Sequence, residues 1–257
     1  MIKISQLFSR FKEASRRPVI RGTFWKLTAR ISSLFIQSFY FLIIARTLGA
    51  EQYGLFVGVM ALIKLLVPFA SWGTPHILMK HVSRNREVFS QYWGNTLFFT
   101  LGLGSCFLLG ALLFNQLFLP ANFFWFLILC IGLAELVFAR IHDAVIKSFL
   151  ATDHLRLDAQ INILLSFNGL IAAVCLMVFF PNPSAVIWGV LYLLSRLVTA
   201  LIGFILVCRT VGKPQPNLSL MKPELVQGFY FSVTLSSHTT YNDIDKTMLA
   251  SMSTLAA

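Results

Sequence analysis

Charge is scarce in this chain. Asp, Glu, Lys and Arg make up only 12% of its 257 residues, against roughly 25% in an average soluble domain. Acidic residues are the scarcer sign, 10 against 21 Lys and Arg. The four cysteines, Cys106, Cys130, Cys175 and Cys208, all lie inside apolar runs without CxxC spacing. That argues against a disulfide framework or metal site and for small core residues. The chain has no Walker A loop, GxSxG, HExxH or GxGxxG ahead of a helix. ATP-driven pumping by this chain alone is therefore disfavoured, and no hydrolase, zinc-site or cofactor motif is found. The first apolar run is too long for a secretory h-region and has no A-x-A site after it, so it does not read as a cleaved signal. Solenoid repeats, low-complexity tracts and a separate soluble domain are missing too. The loops are too short to build the solvated basic face that nucleic-acid binding needs.

What the chain does have is hydrocarbon. Apolar residues reach 57%, Phe alone contributes 25, and the mean hydropathy is +0.75. These values exclude a soluble globular domain, a disordered chain and a fibre. Three stretches carry no charge at all: Ile31–Ala45, Val88–Ala134 and Ala159–Ser195. A spanning helix needs roughly 20 residues, so the second and third stretches, of 47 and 37 residues, each read as two helices with a turn between. The turns show as Asn115 to Asn122 and as Pro181-Asn182-Pro183-Ser184.

The expected spans are Phe24–Ala45, Tyr53–Trp72, Gly94–Asn115, Phe123–Ile141, Ala159–Phe180 and Ala185–Cys208. A seventh runs from about Val226 to Ala250. Solid apolar runs of this length are not barrel strands, and backbone groups in lipid must be satisfied within the segment. The expected fold is thus all-α, a polytopic transmembrane helical bundle of about seven spans.

Seventeen of the 21 basic residues fall on one side of these spans. They lie in the N-terminal region through Arg30 and in the loops after spans two, four and six. Only Arg46 lies on the other side, and Lys64, Arg196 and Lys246 lie within spans. This bias places the N-terminus in the cytoplasm. Trp25, Trp72 and Trp93 at one set of span ends and Tyr53, Trp125 and Trp188 at the other fit an aromatic belt. The basic segment 1–21 places Ile4, Leu7, Phe8 and Phe11 on one helical face. Two readings stand: an amphipathic helix on an anionic leaflet, or a basic tail that only sets orientation.

Charges within spans cost roughly 2.5–3.5 kcal/mol each at the bilayer centre, so function is sought there first. Lys64 sits mid-span in helix two, Glu135 in helix four and Arg196 in helix six. Asp243, Asp245 and Lys246 sit in the outer half of helix seven. One reading is a polar cavity lined by these groups. The other is that Lys64 and Arg196 snorkel, or pair with Glu135 only to hold helices together. For Arg196 the cavity is favoured, because Thr199, Ala200 and Gly203 give it a small-residue face that suits close packing or room for a cargo. Gly54 and Gly58 form one GxxxG, whose default meaning is close helix packing. Pro68 is expected to kink helix two. Asp243-Ile244-Asp245 spells DxD, but residues two apart on a helix do not share a face, so it is not read as a metal site. His76, His81, His142 and His154 lie in or near expected loops and His238 in the expected helix seven; none has ligand spacing, and polar loop histidines are the better reading.

Ala45-Arg46-Thr47-Leu48-Gly49-Ala50-Glu51-Gln52-Tyr53-Gly54, between the first two spans, resembles a signature of polysaccharide flippases. These belong to the multidrug/oligosaccharidyl-lipid/polysaccharide exporter superfamily. Trp72-Gly73 followed by Met79-Lys80 is similar to that family, as is Asp243-Ile244-Asp245-Lys246-Thr247-Met248-Leu249-Ala250. The resemblance implies a non-enzymatic role without cofactors: translocation of a polyprenyl pyrophosphate-linked oligosaccharide across the bacterial inner membrane, for O-antigen, lipopolysaccharide or another surface polysaccharide. It implies two six-helix lobes around a cavity that opens alternately to each side. The partners implied are the lipid-linked oligosaccharide, membrane lipids and other polysaccharide-assembly membrane proteins, with no nucleic acid.

On that pattern residues 1–21 are the basic N-terminal segment and 22–208 the first lobe. Residues 209–225 are a cytoplasmic linker and 226–257 the first helix of a truncated second lobe. Lys64, Arg196 and Glu135 are the expected cavity residues. Asp243, Asp245 and Lys246 are the expected ion-coupling residues. The family has twelve to fourteen spans, so a chain of about seven is expected to be a truncated product or a fragment. Two rival readings remain: a small-molecule or cation antiporter of the same fold, and a membrane-embedded glycan polymerase or ligase, which would usually carry a large outer loop.

Overall fold

The computed structural model describes residues 18–118 and 125–237. Those residues are almost wholly helical, with no strand among them. Helix α1 (Pro18–Leu66) is followed by α2 (Thr74–Val82), α3 (Phe89–Phe118) and α4 (Trp125–Gly132). A π-helical turn, Leu133–Phe138, joins α4 to α5 (Ala139–Ala151). Then come α6 (Leu155–Phe179), α7 (Ala185–Thr210) and a last helix, α8, over 225–237. Asp243, Asp245, Lys246 and His238, with most of segment 1–21, lie outside the described residues.

Five of these helical stretches are long and apolar enough to cross a membrane. The first of them is two arms. Gly49 adopts φ 71°, ψ 171°, a region that is essentially glycine-only, and the chain folds back there. Phe41 and Tyr53, twelve residues apart, bring their ring centroids to 5.9 Å. On a straight helix they would be about 18 Å apart along the axis. Tyr40 from the first arm and Phe56 from the second both lie against Trp188, at 5.9 and 6.0 Å.

The outer surface of the bundle is hydrocarbon. Phe35 and Phe39 on the first arm, Leu109 and Leu117 on α3, Val178 and Phe179 on α6, and Leu201 and Ile205 on α7 are all exposed. A soluble monomer rarely carries apolar patches of that extent, whereas lipid accepts them. Two packed cores lie inside. One gathers Ile44, Phe56, Ile63, Leu127, Ile131 and Trp188 near the Gly49 turn. The other gathers Ile77, Leu78, Trp93, Val145, Phe149 and Val207 at the basic end. Close approaches set the spacing. A Cβ on Gly104 of α3 would come within 2.5 Å of the Leu136 carbonyl on the π turn. One on Gly203 would come within 3.0 Å of Val145.

Several expectations need correction. Pro68 does not kink a continuing helix. The second arm ends at Leu66, and residues 66–73 run on through tight turns before α2. Proline lacks the N–H and disfavours α geometry in the residue before it. The expected loop after span two holds the nine-residue α2. The expected loop after span four is still helix through Ala151, so Arg140 and Lys147 stand on α5. Gly54 and Gly58 meet nothing within 4 Å among the described residues, so the GxxxG is not a packed interface there. Cys106 is exposed rather than a core residue. His142 is buried on α5 and His76 and His81 lie on α2, so they are not loop histidines.

Segment 211–224, within the expected linker 209–225, is tied to the helices it passes. Gln215 donates its N–H to the Ser90 carbonyl at 2.9 Å. Asn95 and the Asn217 backbone exchange hydrogen bonds of 2.7 and 2.8 Å. Lys80 and His81 of α2 reach Glu224 at 3.5 and 2.8 Å, and the Trp72 indole donates to the Leu225 carbonyl at 2.9 Å. Trp72 and Gly73 both have positive φ, 50° and 63°. Gly73 and Gly228 touch backbone to backbone, such that a Cβ on either would meet a carbonyl oxygen at 2.5 Å. The His76 ring stacks on Phe231 at 5.5 Å, and burial, with Lys147 close by, holds its imidazole below the usual histidine range.

Overpacking of such a contact costs about 1–3 kcal/mol. Gly228→Val is therefore expected to undock α8 and speed cleavage by a glutamate-specific protease after Glu224. Cleavage at the wild-type rate would show that the contact does not hold the segment.

Candidate functional site

A cavity of about 940 Å³ opens between the two arms of α1 and helices α6 and α7. Gln37, Tyr40 and Phe41 line it from the first arm, and Tyr53, Val57, Lys64 and Leu65 from the second. Glu135 lines it from the π turn, Ser166 from α6, Tyr192, Ser195 and Arg196 from α7, and Ser236 from α8. Lys64, Glu135 and Arg196 thus share one space. Asp243, Asp245 and Lys246 lie outside the described residues and so outside any description of this site.

Helical spacing builds the site on α7. Residues four apart share a helix face, so Tyr192 lies under Arg196, with the guanidinium 5.0 Å from the ring centroid. Arg196 donates from Nε and Nη2 to the Tyr192 hydroxyl oxygen at 3.1 and 2.6 Å. That hydroxyl donates in turn to Glu135 Oε1, and Arg196 Nη2 stands 3.1 Å from the same carboxylate oxygen. The Glu135 side chain keeps 9% of its surface exposed and the Arg196 side chain 22%. Both side chains line the cavity, and Glu135 is the less exposed of the two. Glu135 presents itself from a π turn, and such turns frequently stand at functional sites.

Of the two uses open to the small-residue face beside Arg196, close packing or room for a cargo, the structure shows packing. Thr199 and Ala200 are buried. Thr199 accepts from Asn168 Nδ2 at 2.9 Å, which ties α6 to α7. Space opens on the other side of the arginine, toward α1. Lys64 differs from Arg196 in its partners. It is exposed to the cavity, and none of the ion pairs between described residues includes it.

Reading the sequence for charges alone missed Tyr192, Tyr40 and Gln37. Tyr192 carried a usable signal, since it stands four residues before an arginine in an apolar run. Tyr40 and Gln37 carried none, because only the fold-back at Gly49 brings the first arm alongside α6 and α7.

A family model described as polysaccharide biosynthesis protein matches residues 19–257. No curated protein and no solved structure matches the chain.

Removing one partner of a buried ion pair leaves an uncompensated charge and costs about 3–5 kcal/mol. Arg196→Ala is therefore expected to lower stability in detergent by about that amount, with the Glu135→Ala/Arg196→Ala double variant recovering most of it. A double variant no more stable than Arg196→Ala, in thermal unfolding followed by tryptophan fluorescence, would mean the pair does not carry the coupling.

Proposed function

We propose, because the chain belongs to the polysaccharide biosynthesis protein family, that it translocates a polyprenyl pyrophosphate-linked oligosaccharide across the bacterial inner membrane by alternating access. Family membership supports a role in polysaccharide synthesis or export, and with several membrane-length helices the chain is a multi-pass membrane protein. The observation that carries the finer reading is the cavity. It presents the ammonium of Lys64 and the guanidinium of Arg196 from two different helices into one space inside a hydrocarbon-faced bundle. Cations kept at such depth are costly and are retained for paths and ligands. A pyrophosphate is a matching anion, because a guanidinium offers forked donors to its oxygens.

The apolar side chains of Phe41, Val57 and Leu65 line the same cavity, which suits the lipid end of such a cargo. Tyr, Ser and Gln side chains supply donors and acceptors for sugar hydroxyls. In this reading the chain performs no bond chemistry. Its N-terminus is cytoplasmic, by the positive-inside bias of its loops. Residues 22–208 form one lobe, and α8 begins a second. Asp243, Asp245 and Lys246 are the residues we assign to ion coupling, from the sequence resemblance alone. The antiporter and the polymerase or ligase readings draw no support from a specific observation.

Lys64 is exposed and stands outside every ion pair between described residues, so it gives the cleaner test. In cells that depend on this protein for a surface polysaccharide, Lys64→Gln and Arg196→Ala are each expected to abolish surface display while leaving membrane insertion intact. Normal display in the Lys64→Gln strain would remove the cationic-cavity reading.

A further inference from the structure

Arg196 does not wait in the cavity as a free cation. Its Nη2 stands 3.1 Å from Glu135 Oε1, and both Nε and Nη2 donate to the Tyr192 hydroxyl that itself donates to that carboxylate. A cargo phosphate approaching Arg196 therefore meets a guanidinium that already has an anion. We infer that Glu135 is a built-in competing anion, which holds Arg196 when the cavity is empty and drives an anionic headgroup off it again. The inference rests on the reading of the cavity as a site for a pyrophosphate-bearing lipid.

Three features support it. First, the two partners are unequally placed. Both side chains line the cavity, but Glu135 keeps 9% of its side-chain surface exposed and Arg196 22%. A ligand can thus reach Arg196 without displacing the helix that carries Glu135. Second, Tyr192 bridges both groups through one hydroxyl. It keeps a partner for the arginine whether or not the carboxylate is engaged, so the exchange leaves no stranded buried donor. Third, the charges facing Glu135 are Arg196 on α7, Lys64 on the second arm and Arg140 one turn further along its own helix. Lys64 is the one exposed to the cavity and outside every ion pair between described residues. It makes the first contact with an incoming headgroup, and Arg196 is recruited only against Glu135. An interaction site held half-closed in this way binds more weakly than two free cations would, and it releases its ligand faster.

The full chain in lipid nanodiscs, titrated with farnesyl pyrophosphate and with uncharged farnesol as the control, tests this directly. Wild type is expected to bind the pyrophosphate and not farnesol. Glu135→Gln, which keeps an acceptor for Tyr192, is expected to bind about tenfold more tightly, mostly through slower dissociation. Surface polysaccharide display should be lost in that variant because cargo is retained. Glu135→Asp, with its carboxylate drawn back by one methylene, should shift the same way by less. The gain should vanish in an Arg196→Gln background, since the carboxylate acts through that one guanidinium.

Unchanged affinity in both Glu135 variants, with wild-type binding intact, overturns the competing-anion role and leaves the cavity reading standing. A gain of equal size in the Arg196→Gln background overturns it as well, because net charge alone would then explain the effect. Wild type that binds farnesyl pyrophosphate no better than farnesol overturns the cavity reading and this inference together.

Discussion

The ion pair between Glu135 and Arg196 is the constraint on which the candidate site depends. Burial leaves both groups with little solvent contact inside a bundle faced with Phe, Leu and Ile, so each stabilises the charge of the other. That requirement draws the π turn and α7 together. Tyr192 supplies the hydrogen bond that neither charge can supply for the other. The cavity then opens on the side of Arg196 that these contacts leave uncovered. A polar site in a membrane interior is in this sense built from its own solvation needs, and the ligand chemistry we propose follows from which charge is left facing the open space.

The bundle around that pair is assembled by close approaches at a few small residues. Gly104 admits the π turn's backbone, Gly203 admits Val145, and Gly73 meets Gly228. The last of these joins the bundle to the segment that follows it. Because 211–224 is hydrogen-bonded to α2 and α3 along its length, α8 starts from a fixed point at the basic end, and Ser236 reaches the cavity wall. A rocking motion of α8 against the bundle would have to work the Trp72–Gly73 turn, where two consecutive residues already hold positive φ.

Much of this was legible without coordinates, and for a simple reason. A helix that crosses lipid must be apolar over its whole length and satisfy its own backbone, so the spans are visible as uncharged runs. The Pro181–Ser184 turn and the boundaries of α6 and α7 follow from that within a few residues. Lys64, Glu135 and Arg196 stood out for the complementary reason, as charges where charge is costly. Short-range features were harder. Helix α2 is nine residues long with charged neighbours and looks like a loop to any test based on hydrocarbon length. The exposed Gly54 and Gly58 match a packing motif in letters but have no helix against them among the described residues.

The amino-acid order by itself determined that this chain lives in a bilayer and which few side chains are too costly to be there by accident. It determined these things because burial in hydrocarbon acts residue by residue along the chain. Only the tertiary structure decided that Arg196 is held by Glu135 and Tyr192 while Lys64 faces the cavity outside every ion pair between described residues. Only there does the fold-back at Gly49 place Tyr40 beside Trp188, and only there is the proline-rich segment clamped rather than free. Those outcomes depend on which helix faces which, and on the rotation a single π turn imposes. Neither quantity is local in sequence.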